Sequence, residues 1–217
     1  MQYNPDRHHR RSTRLRGYDY TQPGAYFVTL LTQNRLCLFG EIAEHTMQPG
    51  AAGRMVEDMW RALLDRFPAI LLDVFVLMPN HLHGIIVITE DTACEEGCPS
   101  GNTTDSTSTA CKGESCIRPE PCIRPEPCVH PEPDLYEHPH GTAPGSLGRI
   151  IQDFKIGTTN VYMRGVTTHG WQPFPGRLWH RNYHDRILRD ENEFDRTRRY
   201  ILHNPYRWAH DEHNATA

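Results

Sequence analysis

No stretch of this chain approaches the roughly 20 apolar residues that a membrane-spanning helix requires. The first residues, Met1-Gln2-Tyr3-Asn4-Pro5-Asp6-Arg7-His8-His9-Arg10-Arg11, carry no apolar core of a secretory signal. A cytoplasmic protein without membrane contact is therefore expected. A disulfide framework is also missing. Outside residues 91–143 the only cysteine is Cys37, whereas a bridged scaffold would spread its cysteines through the fold. No glycine-rich phosphate-cradling loop occurs, so no nucleotide cofactor is indicated. Nor is either charge sign in strong excess: the formal net charge is −4. That figure conceals an imbalance. Residues 91–143 hold 10 acidic and 3 basic side chains, leaving 20 Lys and Arg against 17 Asp and Glu elsewhere. The remainder is mildly basic, which permits a polyanionic partner without requiring one.

What is present begins with a basic arm over 1–24, where Arg7, Arg10, Arg11, Arg14 and Arg16 surround His8 and His9. Such arms touch phosphate or remain solvated termini. Residues 25–32, β-branched and aromatic, read as a first strand, and 36–42 as a short strand or extended edge. Apolar positions at Met55, Val56, Met59, Trp60, Leu63 and Leu64 predict a helix over 51–67, closed by Pro68. Residues 71–78 and 82–89 read as buried strands joined by the Pro79-Asn80 turn, a hairpin. After the 91–143 segment, Ser146 is a good N-cap for a helix with Leu147, Ile150, Ile151, Phe154 and Val161 on one face. Gly157, Thr158 and Thr159 weaken its middle. Residues 178–184 look extended. Asp190, with Glu193 three positions on, resembles a capping box for a last helix that Pro205 should stop.

Residues 91–143 differ in kind. Gly, Ser, Thr and Pro dominate, and a hexamer starting at Cys116 recurs at Cys122 and Cys128 with two prolines in every six positions. That spacing forbids helix and central strand, so a disordered or polyproline-like insert is expected. One domain, 25–90 with 144–210, would then surround it, followed by a tail at 211–217.

The most informative stretch is Met78-Pro79-Asn80-His81-Leu82-His83-Gly84 at the head of an apolar run. Side chains at i and i+2 share a strand face, so His81 and His83 project together while Leu82 faces the core. Two neutral imidazoles held so make most of a divalent-metal site; the plainer reading is a half-buried histidine pair at a strand edge. On the last helix Tyr200 and Asn204 are i and i+4 and point the same way. A tyrosine and an amide oxygen facing two imidazoles leave open positions for phosphate oxygens, a set suited to Mg²⁺ or Mn²⁺ more than structural zinc. Because Asn204 precedes Pro205, its backbone is pushed from helical geometry. His203 competes with Asn204 as a ligand, and Tyr183 competes with Tyr200 as a nucleophile.

These residues carry a resemblance. Residues 78–84 resemble the His-hydrophobic-His (HUH) motif of single-tyrosine transposases, and Tyr200-Ile201-Leu202-His203-Asn204-Pro205 resembles their tyrosine helix. The branch most similar is that of the REP-associated tyrosine transposases. Ala25-Tyr26-Phe27-Val28-Thr29, Ser146-Leu147 and Trp179-His180-Arg181-Asn182-Tyr183 also look like it, so the resemblance covers nearly all of the chain outside 91–143. It implies an α+β fold, a ferredoxin-like antiparallel sheet with helices packed on it. It further implies that His81, His83 and Asn204 bind Mg²⁺ or Mn²⁺ and that Tyr200 is the nucleophile. The substrate class is single-stranded DNA bearing hairpins, cleaved and rejoined through a 5′-phosphotyrosine by a monomer or homodimer. Arg10, Arg11, Arg14, Lys155, Trp179, Arg181 and Tyr183 are expected to contact nucleic acid by residue type, with Tyr18 and Tyr20 as further stacking candidates. Two other functions compete: a hairpin-binding module of the same fold that does not cut, and a metallohydrolase using a metal-bound water.

Overall fold

The computed structural model describes residues 14–15, 17–90 and 142–214. Arg10, Arg11 and nearly all of the proline-rich segment lie outside them. Strand β1 (Gly24–Leu31) is followed by a small hairpin, β2 (Gly40–Ala43) and β3 (Thr46–Pro49), and by helices α1 (Ala51–Arg61) and α2 (Leu63–Arg66). Then come β4 (Ile70–Met78), β5 (His81–Ile88), α3 (Leu147–His169), β6 (His184–Leu188) and α4 (Glu191–Arg207). The four long strands form one antiparallel sheet in the order β4-β5-β1-β6. With α1 and α3 as the two crossovers, the path is β-α-β-β-α-β, the ferredoxin-like arrangement, so the α+β expectation holds. Among the described residues no helix is long and apolar enough to cross a membrane.

The sheet has two unlike faces. Tyr26, Val28, Leu30, Leu82, Ile86 and Ile88 join Val56 and Trp60 of α1 and Ile150, Ile151 and Phe154 of α3 in the main core. On the other face a smaller apolar cluster of Ile85, Leu188 and Ile201, flanked by Phe27 and Phe194, seats α4. Strand alternation alone assigns the even residues of β5 to the first face and the odd ones to the second. A one-residue slip would take Leu82, Ile86 and Ile88 out of the main core, where burial of each is worth about 1.5–3 kcal/mol, and drive imidazoles into it. The register is therefore strongly specified. Gly84 completes it: a Cβ there would meet Trp60 Cζ2 at 2.5 Å and Phe75 Cβ at 3.2 Å, so only glycine lets α1 approach the strand this closely.

Several local expectations are corrected. The edge predicted over 36–42 becomes a strand only from Gly40, and β3 follows after a turn in which Glu44 and His45 both have positive φ (49° and 61°). Tight hairpin turns need such angles, but Glu and His do not announce them. The helix predicted over 51–67 breaks at Ala62, and Leu64 is exposed. Helix α3, in contrast, runs unbroken through Gly157 and the threonines. Thr158 Oγ1 donates to the Phe154 carbonyl (2.7 Å) and accepts from Trp179 Nε1 (2.8 Å), and the side chain of Met59 occupies the space beside Gly157. Ser146 caps α3, accepting from the Arg149 N–H, and Gly170 ends it in left-handed geometry (φ 66°). Asp190 caps α4, accepting from the Glu193 N–H at 2.8 Å. Pro205 does not stop α4, which continues to Arg207. Proline removes one backbone donor, and in the final turn that loss is small. Asn204 thus stays helical and keeps its alignment with Tyr200.

Candidate active site

The odd face of β5 delivers His81 and His83 into a buried corner beneath α4. Both rings are essentially inaccessible, and their centroids lie 4.6 Å apart. Each is held through Nδ1. His83 Nδ1 lies 2.8 Å from Oγ1 of Thr29, its direct cross-strand partner on β1. His81 Nδ1 lies 2.8 Å from Asn80 Oδ1. Asn80 Nδ2 donates to the carbonyls of Arg35 (3.1 Å) and His213 (2.8 Å), which leaves Oδ1 as the acceptor and places the proton of His81 on Nδ1. The bare lone pair of His81 is therefore on Nε2. That atom is buried and has no hydrogen-bond partner, and the same is true of Asn204 Oδ1.

Electrostatics keep both imidazoles neutral. Burial, with His83 and His213 nearby, lowers His81 to about 2, the Asn204 amide opposing the shift. Burial and His213 lower His83 to about 3. Neutral imidazole is the metal-binding form. Two buried, uncharged rings with an amide oxygen orphaned beside them form a donor set that a divalent cation fits.

Tyr200 reaches this corner from α4. Its Oη is 3.5 Å from His83 Nε2, and its ring lies edge-on to Phe27, at 6.0 Å between centroids. Burial and the Asp211 charge raise the phenol above its ordinary value, with the Asn204 amide pulling the other way. The helix is seated by Ile201 in the apolar cluster and by Arg198, whose Nε lies 3.0 and 3.2 Å from the two carboxylate oxygens of Asp73 on β4. Tyr200 and His83 line a cleft of about 510 Å³ whose walls include His184, Arg186, Arg196 and Glu212. The structure thus brings together His81, His83, Tyr200 and Asn204 within one chain. His203 points elsewhere: it is exposed, and its Nδ1 bonds the Arg199 carbonyl.

The nucleic-acid candidates fare differently. Trp179 is corrected: it is 4% exposed and sits in the core against Phe39 and Phe154, so no base can stack on it. Tyr20 is buried, which removes it as a stacking platform, and the half-buried Tyr18 packs edge-on against Tyr20 and Tyr26. Tyr183 lies between two cations, with Arg14 and Lys155 each 5.4 Å from its ring centre. Burial pushes its phenol up to about 12, and it packs with the main core, away from the smaller cluster that seats α4, against a nucleophilic role. Lys155 Nζ donates to the carbonyls of His180 (2.9 Å) and Asn182 (3.2 Å), and burial lowers it to about 8. Lys155 thus fastens the loop before β6. Arg181 is exposed.

Sequence reasoning missed Asn80, Thr29, Asp211 and His213. Asn80 reads as turn chemistry and Thr29 as an ordinary strand residue, and nothing in the spacing says that each holds an imidazole. Residues 211–214, expected as part of a tail, fold back onto the site. His213 is buried, with its ring 5.1 Å from that of His81.

No protein-family model matches the chain. It is 32% identical over 210 residues to a protein of Haemophilus influenzae described as uncharacterized, spanning 97% of this chain and 96% of that one. Among solved structures, a REP-associated tyrosine transposase bound to a REP hairpin covers 89% of this chain and 73% of its own at a TM-score of 0.47 and 12% identity. A structure from Deinococcus radiodurans covers 87% and 95% at a TM-score of 0.39 and 13% identity. Overlays this loose carry no weight for function, which has to rest on the residues.

Proposed function

The chain belongs to one family with the Haemophilus influenzae protein, and for it we propose metal-dependent cleavage and rejoining of single-stranded DNA through a covalent tyrosine. The carrying observation is the 3.5 Å approach of Tyr200 Oη to His83 Nε2, beside the unpartnered Nε2 of His81 and Oδ1 of Asn204. A nucleophile stands next to a prepared cation site at the end of an open cleft. The HUH resemblance of residues 78–84 and 200–205 points to the same reaction.

In this reading His81, His83 and Asn204 hold Mg²⁺ or Mn²⁺. When bound, the cation withdraws charge from the scissile phosphate as negative charge builds on its oxygens. The rest belongs to the protein. Asn80 and Thr29 fix the imidazole orientations, as partners of metal-binding histidines do. Tyr200 Oη attacks phosphorus, forming the P–Oη bond as the P–O3′ bond breaks. The products are a 5′-phosphotyrosine and a strand ending in a 3′-hydroxyl; the phenol loses one proton and the leaving oxygen gains one. Because the new ester conserves the phosphodiester bond, a 3′-hydroxyl can attack it in turn and release Tyr200. Nucleophile and ligands come from one chain, so the step needs no partner's residue. Hairpin-bearing DNA is the substrate class, with Arg186 and Arg196 along the cleft facing the backbone.

The test incubates hairpin-bearing single-stranded DNA with the protein and Mg²⁺ or Mn²⁺, then looks for an adduct on a denaturing gel. An adduct that disappears in Tyr200→Phe supports the reading. Cleavage retained in Tyr200→Phe without an adduct supports a metal-bound water instead. Retention of hairpins without cleavage supports the binding module.

A further inference from the structure

Two imidazoles and one amide oxygen are a sparse set for Mg²⁺ or Mn²⁺, which favour hard, charged oxygens. The turn after α4 brings one to the same corner. Ligand-capable atoms of His81, His83 and Asp211 all lie within 4.8 Å of one another. Donors around a single small cation, bound at about 2.1 Å, stand roughly 3 to 4.2 Å apart, so small side-chain adjustments suffice to place the three in one sphere. Two further atoms point to a ligand here independently of the carboxylate: His81 Nε2 and Asn204 Oδ1, both buried and unpartnered.

The turn itself is built and anchored. Asp211 Oδ1 accepts from the His213 N–H at 2.7 Å, and the Asp211 N–H donates to the Trp208 carbonyl at 3.1 Å. Asn80, the residue that orients His81, also grips this turn by donating to the His213 carbonyl, and Arg35 donates to the Glu212 carbonyl at 2.9 Å. The neighbouring carboxylate, Glu212, is largely exposed. Asp211 is partly buried, and only it falls within the ligand spacing.

We propose that Asp211 is a carboxylate ligand of the divalent cation, so that the site is closed by three separate pieces of chain: β5, α4 and the 208–214 turn. This rests on the metal site of the proposed function and adds the one charged ligand that the site otherwise lacks. A consequence is that cation binding and the seating of the turn support each other. A merely structural Asp211 would do no more than accept the His213 N–H, and asparagine can do that equally well.

Mn²⁺ binding by the full chain, followed through the loss of the free-ion paramagnetic resonance signal, separates the two roles. Asp211→Asn keeps the turn acceptor and removes the charge; it is expected to weaken Mn²⁺ binding tenfold or more while the circular dichroism melt stays near wild type. Asp211→Ser, with a shorter acceptor, serves if the asparagine variant melts early. Unchanged Mn²⁺ affinity in a folded Asp211 variant, with binding abolished in the His81→Ala/His83→Ala double variant, overturns the proposal and leaves the metal site intact. Unchanged affinity in the double variant as well overturns both.

Discussion

The two faces of β5 pose opposite problems. On one, Leu82, Ile86 and Ile88 pack in the main apolar core with residues of α1 and α3. On the other, His81 and His83 are just as buried, yet polar atoms remain without partners. The first face is filled by apolar side chains, with the indole N–H of Trp60 its one unpartnered polar atom among these residues. The second carries the side chains proposed to hold the cation. One strand supports both because alternation lets neighbouring residues face different environments, and the dry face supplies the rigidity that the site needs.

The sharpest way to break this comparison is at Tyr200. Tyr200→Phe should lower adduct formation by about a thousandfold or more, as loss of a nucleophile does, with melting little changed because the ring stays in place and the phenol's hydrogen bond to His83 is long. A denaturing gel and a thermal melt read the two quantities, and parallel losses would contradict the division of labour.

Removing the cation comes next. Chelation should abolish the adduct, and Mg²⁺ or Mn²⁺ should restore it. Mn²⁺ at about a hundred times its dissociation constant should stabilise the wild type by roughly 2.7 kcal/mol and His81→Ala hardly at all, measured by urea midpoints. The dry face is probed by Gly84→Ala. Its methyl group overpacks against Trp60, for a loss of about 1–3 kcal/mol that appears in the urea midpoint with and without Mn²⁺.

Acidity acts on the polar face through its two imidazoles. Burial lowers His81 to about 2 and His83 to about 3, whereas unfolded histidine titrates near 6.5. Between those values the unfolded chain binds protons that the folded chain does not. Stability contributed by the two rings is thus full above about pH 6.5 and falls as pH drops toward 3, on the order of 1 kcal/mol per pH unit for each ring. His83→Gln should flatten the urea midpoint against pH across this window; an unaltered slope would show that the ring is not held neutral by its surroundings. The smallest effect is expected for Arg198→Ala. This exposed partner of Asp73 should lower the melting midpoint less than Gly84→Ala does, because solvent screens the pair.

Much of the fold was legible in residue order. β-Branched and aromatic composition marked β1, apolar runs marked β4 and β5, helical spacing marked α1 and α3, and Ser146 and Asp190 marked the helix starts where their side chains now cap. What escaped were features whose cause is not local. β3 follows a turn made by Glu44 and His45, residues with no turn preference strong enough to read. The middle of α3 survives its glycine and threonines because Trp179, distant in sequence, supplies a hydrogen bond. Trp179 and Tyr20 look like stacking residues by type, and only their packing reveals that they are core.

The candidate site divides along the same line. Sequence alone determined that His81 and His83 share a strand face and that Tyr200 and Asn204 share a helix face, because those relations follow from backbone periodicity within a single element. It could not determine which way Pro205 would resolve, that Asn80 and Thr29 hold the imidazoles, or that Asp211 and His213 return to the same corner. Those are contacts between elements, decided by how α4 and the turn beyond it pack onto the sheet. Tertiary structure alone turned two faces, each legible in sequence, into one site.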